Sequence, residues 1–169
     1  MDFITDLPPS NGYNSIMVMV DHGSSKGVIL APCHKTISAM ETADILLHYL
    51  FKIFGLPDKA ISDRGPQFAS HAFQELRQLL SIKLAMSTAH HPQTNGATKQ
   101  SNQEIEAYLS IFCGNNPDTW TSFLLTLEFA YSSKMHANQK YSPFYLQLGY
   151  QPIAIPLMFK LTNIPSTEK

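Results

Sequence analysis

The 169-residue sequence lacks several features that mark other classes of protein. It has no apolar run approaching the roughly 18 residues of a membrane span, and Asp2 follows Met1 directly, so we expect neither a membrane anchor nor a secretory signal. Its two cysteines, Cys33 and Cys113, are too few for a disulfide framework or a zinc site. We expect them to be buried or free thiols in a reducing, intracellular compartment.

The sequence also lacks an excess of charge of either sign. It has 12 Lys and Arg residues against 13 Asp and Glu, a formal net charge of -1, so the overall basic character of a nucleic-acid-binding protein is absent. Any contact with nucleic acid must therefore come from local patches. No repeat, linker or low-complexity stretch divides the chain, and its length suits one domain with one core.

Several short segments rich in β-branched and apolar residues predict strands. "SIMVMVD" and "GVILAP" flank the turn-rich "HGSSKG", which indicates an antiparallel hairpin. "MDFITDLPP" could form a strand before the hairpin, and "KAISD" and "IKLAMST" predict two more after it. The strands would then form one mixed sheet.

Helical spacing predicts the remaining elements. Ser38 and Glu41 form a capping box before an apolar stripe, and Gly55 ends that helix; the stripe comprises Ala43, Leu46, Leu47, Leu50 and Phe54. Further helices are predicted at about 70–80, after the loop "AHHPQTNG" as far as Gly114, from Asn116 and Pro117 onward, and over "SPFYLQLG". The order of elements predicts an α/β fold with a mixed sheet covered by helices.

Three aspartates fall in or at the ends of predicted strands: Asp2, Asp21 and Asp63. Ligands gather at strand ends in open α/β sheets, and two carboxylates held together there need a cation such as Mg²⁺ between them. Asp before Arg-Gly is also ordinary turn chemistry. Spacing alone does not decide between a metal site and turns, nor between Asp2 and Asp21.

Four blocks of the sequence resemble successive blocks of the integrase of gypsy-type long-terminal-repeat retrotransposons. They are "MDFITDLPPSNGYNSIMVMVDHGSSKG", "GLPDKAISDRGPQF", "STAHHPQTNGATKQSNQEIEAYL" and "EFAYSSKMHANQKYSPFYLQLGYQP". The resemblance implies a ribonuclease H-like α/β fold with a mixed five-stranded sheet flanked by helices. It covers residues 1–156 as an integrase catalytic core domain and leaves 157–169 as a loosely ordered C-terminal tail.

The resemblance also implies a catalytic triad of Asp, Asp and Glu that holds two Mg²⁺ or Mn²⁺ ions. The first two positions match Asp2 and Asp63, which assigns Asp21 to the hairpin. The third position, after the 35 residues that the family places between the last two carboxylates, is occupied by Lys99.

Lysine at the third position removes a metal ligand, since an ammonium group cannot ligate Mg²⁺ and repels it. Glu104 lies about 140° round the helix from Lys99, and Glu106 lies roughly 10 Å along it, so neither replaces the missing carboxylate. We therefore expect Mg²⁺ or Mn²⁺ binding to be weak or absent and the chain to be catalytically inactive. We expect Asp2 and Asp63 to lie side by side, with the Lys99 ammonium acting as a built-in cation.

The family resemblance implies that the polar segment around the third position contacts DNA. The candidate DNA-binding residues are Arg64, His91, Gln93, Thr94, Asn95, Lys99 and Asn102. Helix capping explains such a segment equally well, and Arg64 could instead pair with an acid. Adjacent His90 and His91 point in different directions, which argues against a metal site there.

Integrase activity in this family means trimming DNA 3' ends and joining them to target DNA. The alternatives are a non-catalytic module for DNA binding or self-association, a relic fragment of a degenerate element, and a one-metal nuclease using Asp2 and Asp63. Complete family members carry a zinc-binding module before the core and a small domain after it; with neither in this sequence, we expect a fragmentary copy. The resemblance further implies a homodimer, DNA as partner and a nuclear location, with no membrane association.

Overall fold

Five strands form the sheet region of the described chain. They are β1 (Asp2–Ile4), β2 (Ser15–Val20), β3 (Val28–Cys33), β4 (Lys59–Ser62) and β5 (Lys83–Met86). The computed structural model describes residues 1–62, 74, 78, 82–86, 92–136 and 139–153, and of 84–86 and 92–99 only the backbone. Each of the five strands predicted from the sequence is present.

The strands pair in both directions. β2 lies between β1 and β3 and is antiparallel to both, with Val18 opposite Asp2 and Leu30. β4 and β5 run parallel. The Met1 nitrogen donates a hydrogen bond of 2.6 Å to the Ile61 carbonyl oxygen, which places the start of β1 beside β4. Both strand directions of the predicted mixed sheet are present, but in the described residues the pairing forms a three-stranded sheet, β1–β2–β3, and a two-stranded sheet, β4–β5, rather than one continuous five-stranded sheet.

A continuous helical segment follows β3. It consists of α1 (Ala39–Ile45), a π-helical stretch (Leu46–Phe51) and α2 (Lys52–Phe54). The predicted capping box is present, since the Glu41 N–H donates to Ser38 Oγ at 3.2 Å and the Ser38 N–H donates to Glu41 Oε2 at 2.8 Å. The helix ends at Gly55, whose φ of 77° is typical of glycine.

The predicted apolar stripe of this helix is only partly buried. Ala43 is buried, but Leu47 and Phe54 expose 40% and 54% of their surface. The π-helical stretch contains more residues per turn than the 3.6 assumed in the prediction, which rotates later residues away from the sheet. Part of the stripe therefore lies on the protein surface.

The long helix α3 (Pro92–Cys113) begins earlier than the sequence predicts. The prediction of a loop over "AHHPQTNG" is wrong from Pro92 onward, because residues 92–96 are helical. Proline suits the first position of a helix, and the first-turn N–H groups need no partner within the helix, so this polar segment can be helical. The end at Gly114, with a φ of 51°, is confirmed.

Two further helices complete the described chain. A 3₁₀ turn (Pro117–Thr119) leads into α4 (Trp120–Ser133), and α5 (Pro143–Leu148) follows, capped by a hydrogen bond from the Tyr145 N–H to Ser142 Oγ. Asn116 precedes the 3₁₀ turn without a side-chain cap. The helix predicted at 70–80 lies outside the described residues except for Gln74 and Gln78, which are helical. The predicted tail of 157–169 lies outside them entirely.

Hydrophobic clusters lie on both faces of the antiparallel strands. One cluster joins β1–β3 to α3 and α4 and comprises Ile4, Ile16, Val18, Val28, Leu30, Ile105, Leu109, Trp120, Leu124, Leu127 and Tyr131. The other lies between the opposite face and the helical segment of 39–54, and comprises Met17, Met19, Ala31, Cys33 and Ile37. Helices cover both faces of the sheet, so β2 is apolar along most of its length.

Candidate active site

Asp2 lies where β1 meets α3, and both of its carboxylate oxygens accept hydrogen bonds. The Phe3 N–H donates to Oδ1 at 2.9 Å, and Asn102 Nδ2, from α3, donates to Oδ2 at 2.8 Å. The two residues are 100 positions apart in the chain. The carboxylate is thus oriented by its own strand and by the facing helix.

Asn102 also carries an unusual acceptor. Its Oδ1 is buried and has no hydrogen-bond partner, although a buried polar atom is normally paired. The amide assignment follows from chemistry, because Oδ1 turned toward Asp2 would bring two acceptors together. An oxygen without a donor therefore lies next to the Asp2 carboxylate.

The backbone of α3 relates Lys99 to this contact. Lys99 precedes Asn102 by three residues, and positions three apart lie on the same face of a helix, about 4.5 Å apart along the axis. The described part of Lys99 is its backbone. Position 99, which the family resemblance matches to the third carboxylate, is thus on the same side of α3 as Asn102.

The other predicted site residues are described only in part. Asp63, Arg64 and His91 lie outside the described residues. Gln93, Thr94 and Asn95 have helical backbone in α3. The side-by-side placement of Asp2 and Asp63 therefore stays a prediction, whereas Asn102 contacts a carboxylate rather than an open surface.

Ser62 ends β4, immediately before Asp63 in the sequence. It is 1% exposed, and its Oγ has no hydrogen-bond partner. The Met1 contact with Ile61 places the end of β4 near the start of β1. A second unpaired polar atom therefore lies next in sequence to a predicted metal ligand.

Glu104 is occupied elsewhere, which supports its exclusion as a substitute ligand. Its Oε1 accepts a 2.5 Å bond from Lys134 Nζ, and its Oε2 lies 3.8 Å from His136 Nδ1. Beside this group, Ser101 Oγ and Tyr131 OH form a buried hydrogen bond of 2.9 Å. Glu104 thus links α3 to the end of α4, away from Asp2.

Asp21 holds the turn of the β2–β3 hairpin together. Its carboxylate accepts from the N–H groups of Gly23, Ser24 and Ser25 and from both serine hydroxyls, at 2.6 to 3.2 Å. Partial burial works against ionisation of this carboxyl, but the hydrogen bonds from the two serine hydroxyls and from the Ser25 and Gly23 N–H groups outweigh it and lower its pKa below the ordinary value. The assignment of Asp21 to the hairpin agrees with this geometry.

Comparison with known proteins identifies the lineage. No family model matches the chain. The chain is 34% identical over 157 residues to the Transposon Tf2-3 and Tf2-4 polyproteins of Schizosaccharomyces pombe, a match that covers 93% of the chain and 12% of each polyprotein. The chain is homologous to retrotransposon polyproteins. It spans about an eighth of their length.

Comparison with solved structures shows which fold the chain adopts. The HTLV-2 integrase catalytic core domain in complex with magnesium, in its trimeric form, superposes with a TM-score of 0.66 at 18% identity over 86% of this chain and 93% of that one. The catalytic core domain of BIV integrase gives 0.66 at 20% identity, over 88% and 93%. The predicted ribonuclease H-like fold of an integrase catalytic core is confirmed.

The chain has a half-buried carboxylate that the sequence analysis missed. Glu128, on α4, accepts a 3.1 Å hydrogen bond from the Leu30 N–H of β3. Burial raises the pKa of this carboxyl, and the Leu30 N–H opposes the rise in part. Its signal in the sequence was its spacing, because Glu128 lies four residues after Leu124 on the face that packs on the sheet.

The remaining predictions concern cysteines, metals and membranes. Cys33 is buried and Cys113 half-buried, and both are free thiols, as predicted. Within the described residues, which leave out Asp63, no three His, Cys, Asp or Glu side chains gather as a metal site. No helix in the described part of the chain is both long and apolar enough to cross a membrane.

Proposed function

We propose that this chain is the catalytic core of a retrotransposon integrase in which polynucleotidyl transfer has been lost and DNA binding remains. The carrying observation is the contact between Asn102 and Asp2. It supports a site between β1 and α3 on the helix face that includes position 99. In the integrase family that position supplies a carboxylate, and this chain has Lys99.

The residues near Asp2 fit a divalent cation in part. The buried, unpaired Oδ1 of Asn102 and the Asp2 carboxylate are oxygen groups, which Mg²⁺ and Mn²⁺ prefer. Asp2 and Asp63 would hold the ion, and a complete site with two such ions would supply activation of the attacking oxygen and stabilisation of the leaving oxygen of the phosphodiester. The HTLV-2 core was solved in complex with magnesium.

Lys99 would change the role of this site. Two neighbouring carboxylates repel each other, and an ammonium within about 4 Å offsets that repulsion by roughly 1 to 4 kcal/mol, depending on the local dielectric. We propose that Lys99 provides this charge in place of a metal ion. The carboxylates then remain a stable part of the fold but lack the clamp that two-metal transfer requires.

DNA would bind over the first turns of α3. The free N–H groups at a helix N-terminus attract phosphate, and this 22-residue helix begins at Pro92 within the polar segment. Gln93, Thr94, Asn95 and Lys99 belong to these turns, and the proposed DNA surface also includes Arg64 and His91. We also propose a nuclear location, which rests on the family resemblance alone.

Self-association is the second part of the proposal. Large apolar side chains are exposed on the helical segment of 39–54 and on α4: Met40, Leu47, Phe51, Ile53, Phe54 and Leu125. Ile53, Phe54 and Leu125 border one groove. A two-fold dimer would cover this apolar surface, and two-fold pairs are the commonest protein assemblies.

The test compares the parent chain with Lys99→Glu in a strand-transfer and nuclease assay with Mn²⁺, together with a gel shift on duplex DNA. We expect no product from the parent and a DNA shift from both proteins. Any product from the parent would overturn the proposed inactivity. A nuclease product without strand transfer would favour the one-metal nuclease. A parent chain that fails to shift DNA would leave the relic fragment as the better description.

A further inference from the structure

The groove beside α4 and α5 is large and partly apolar. Its volume is about 1270 Å³, above the roughly 300 to 1,000 Å³ of pockets that take small molecules. Exposed leucines from both helices line it, and a surface of this kind usually marks a site for another polypeptide. The lining residues from these helices that matter below are Leu125, Glu128, Phe129, Ser132, Leu146 and Leu148.

The described chain ends close to this groove. Gly149, with a φ of 79°, ends α5. Two residues later, Gln151 Nε2 donates a 3.4 Å hydrogen bond to the Ser133 carbonyl oxygen at the end of α4. Ser132, the neighbour of Ser133, lines the groove. Ile153, two positions beyond Gln151, is highly exposed, so the chain that follows starts within a few residues of the groove.

The sequence from Ile153 onward has the length and the apolar character to line this groove. Residues 153–161 read "IAIPLMFKL". Ser132 and Leu125 are seven positions apart on α4, which corresponds to roughly 10 Å along the helix axis. An extended chain covers about 3.3 Å per residue, so four residues span that wall. Pro156 suits an extended segment, since its φ is fixed and it has no N–H to satisfy.

The charges of the groove and of the segment are complementary. The charged side chains that line the groove are three acids, Asp21, Asp58 and Glu128, and one base, Lys59. Glu128 is half-buried and takes part in none of the ion pairs among the described residues. Residues 153–161 contain one lysine and no acid. Such complementarity favours this segment over an acidic one.

We propose that residues 153–161 bind in the groove of their own chain as an extended segment whose apolar side chains cover Leu125, Leu146 and Leu148. The loosely ordered tail expected from the sequence would then begin after residue 161. This inference goes beyond the proposed function, because it depends on neither metal, DNA nor catalysis. A second copy that dimerises over Leu125 must displace the segment, so segment and second copy compete for one surface.

The experiment observes methyl groups of the full chain by nuclear magnetic resonance, with Ile, Leu and Met labelled. The tail variant carries Leu157→Asp and Phe159→Asp, which place charges within the apolar run. We expect the parent to show nuclear Overhauser contacts from the Met158 methyl to methyls of Leu125 or Leu148. The tail variant should lose them, and its groove signals should shift.

The matched control introduces the same two charges beyond the segment. Thr162→Asp with Ser166→Asp should leave the groove signals and the Met158 contacts as in the parent. Groove signals that are identical in the parent and the tail variant would overturn the proposal. Contacts that arise only between differently labelled chains in a mixed sample would assign the groove to the tail of a second copy, which also overturns binding within one chain.

A second measurement adds the segment from outside. A fluorescent peptide of residues 153–163 should bind the tail variant about 10-fold or more tightly than the parent, whose own segment already fills the groove. Leu148→Lys in the tail variant should remove this binding. Tyr150→Lys is the control, because Tyr150 is also exposed but does not line the groove. Equal binding of the peptide to the parent and the tail variant would contradict occupation of the groove.

Discussion

The Glu128 carboxylate accepts a hydrogen bond from the Leu30 N–H at 3.1 Å, although the residues are 98 positions apart in the chain. Leu30 belongs to β3, which in the described sheet pairs only with β2. Glu128 therefore satisfies an N–H group on the outer edge of that strand. An unpaired edge would otherwise be open to pairing with another chain.

Glu128→Gln should stabilise the protein at neutral pH, whereas Glu128→Ala should destabilise it. Glutamine keeps an oxygen for the Leu30 N–H and removes the cost of a buried charge. Alanine leaves that N–H without its acceptor, which costs about 1 to 3 kcal/mol. Urea unfolding of the three proteins at pH 7 should rank them Gln, Glu and Ala from most to least stable. A Gln variant with an unfolding free energy as low as that of the Ala variant would contradict this prediction.

The stability difference between Glu128→Gln and the parent should depend on pH. Burial raises the pKa of Glu128 in the folded state, so the protonated form is favoured there. The stability that protonated Glu128 contributes to the parent is fully present below the ordinary glutamate pKa of 4.5. It is lost as pH rises through the folded-state pKa. The advantage of Gln should therefore be small in acid and grow on the way to pH 7, as measured by thermal melts across that range.

Asp21→Ala should destabilise the hairpin by about 1 to 2 kcal/mol, because five donors in the turn lose their acceptor. The folded-state pKa of Asp21 is lowered, so its stabilisation is present above the unfolded pKa and is lost as pH falls through the folded one. The loss on substitution should shrink in strong acid. As pH rises, the parent gains stability relative to Asp21→Ala, whereas it loses stability relative to Glu128→Gln. Equal unfolding free energies of parent and variant at pH 7 would contradict the turn role.

Leu125→Lys should prevent the proposed dimer. Leu125 is 82% exposed on α4 and borders the groove that also contains Ile53 and Phe54. A lysine there would place a charge in the apolar interface of both partners. Light scattering at high micromolar concentration should give a dimer mass for the parent and a monomer mass for the variant.

The control for that experiment is Ile111→Lys. Ile111 is 75% exposed on α3 and does not border the groove. The same change of charge should therefore leave the dimer intact. A monomeric parent, or loss of the dimer in both variants, would contradict the proposed surface.

Some features of the site required long-range information. The polar spacing of residues 92–102 suggested DNA contacts for Asn102, but its partner Asp2 is 100 positions away, and a hydrogen bond between α3 and β1 leaves no local pattern. The same limit applies to Glu128, whose acceptor role depends on how α4 packs on β3. Local spacing placed Glu128 on the buried face without showing what it binds.

The sequence by itself determined the strands, the capping box at Ser38, the helix end at Gly55 and the turn between β2 and β3, because each depends on neighbouring residues and on local backbone preference. The family resemblance matches Lys99 to a carboxylate position, and that assignment stays a prediction. Tertiary structure alone decided that part of the stripe in 39–54 faces outward and that Asn102 holds Asp2. Both outcomes depend on how distant elements pack against each other, which local residue preferences do not encode.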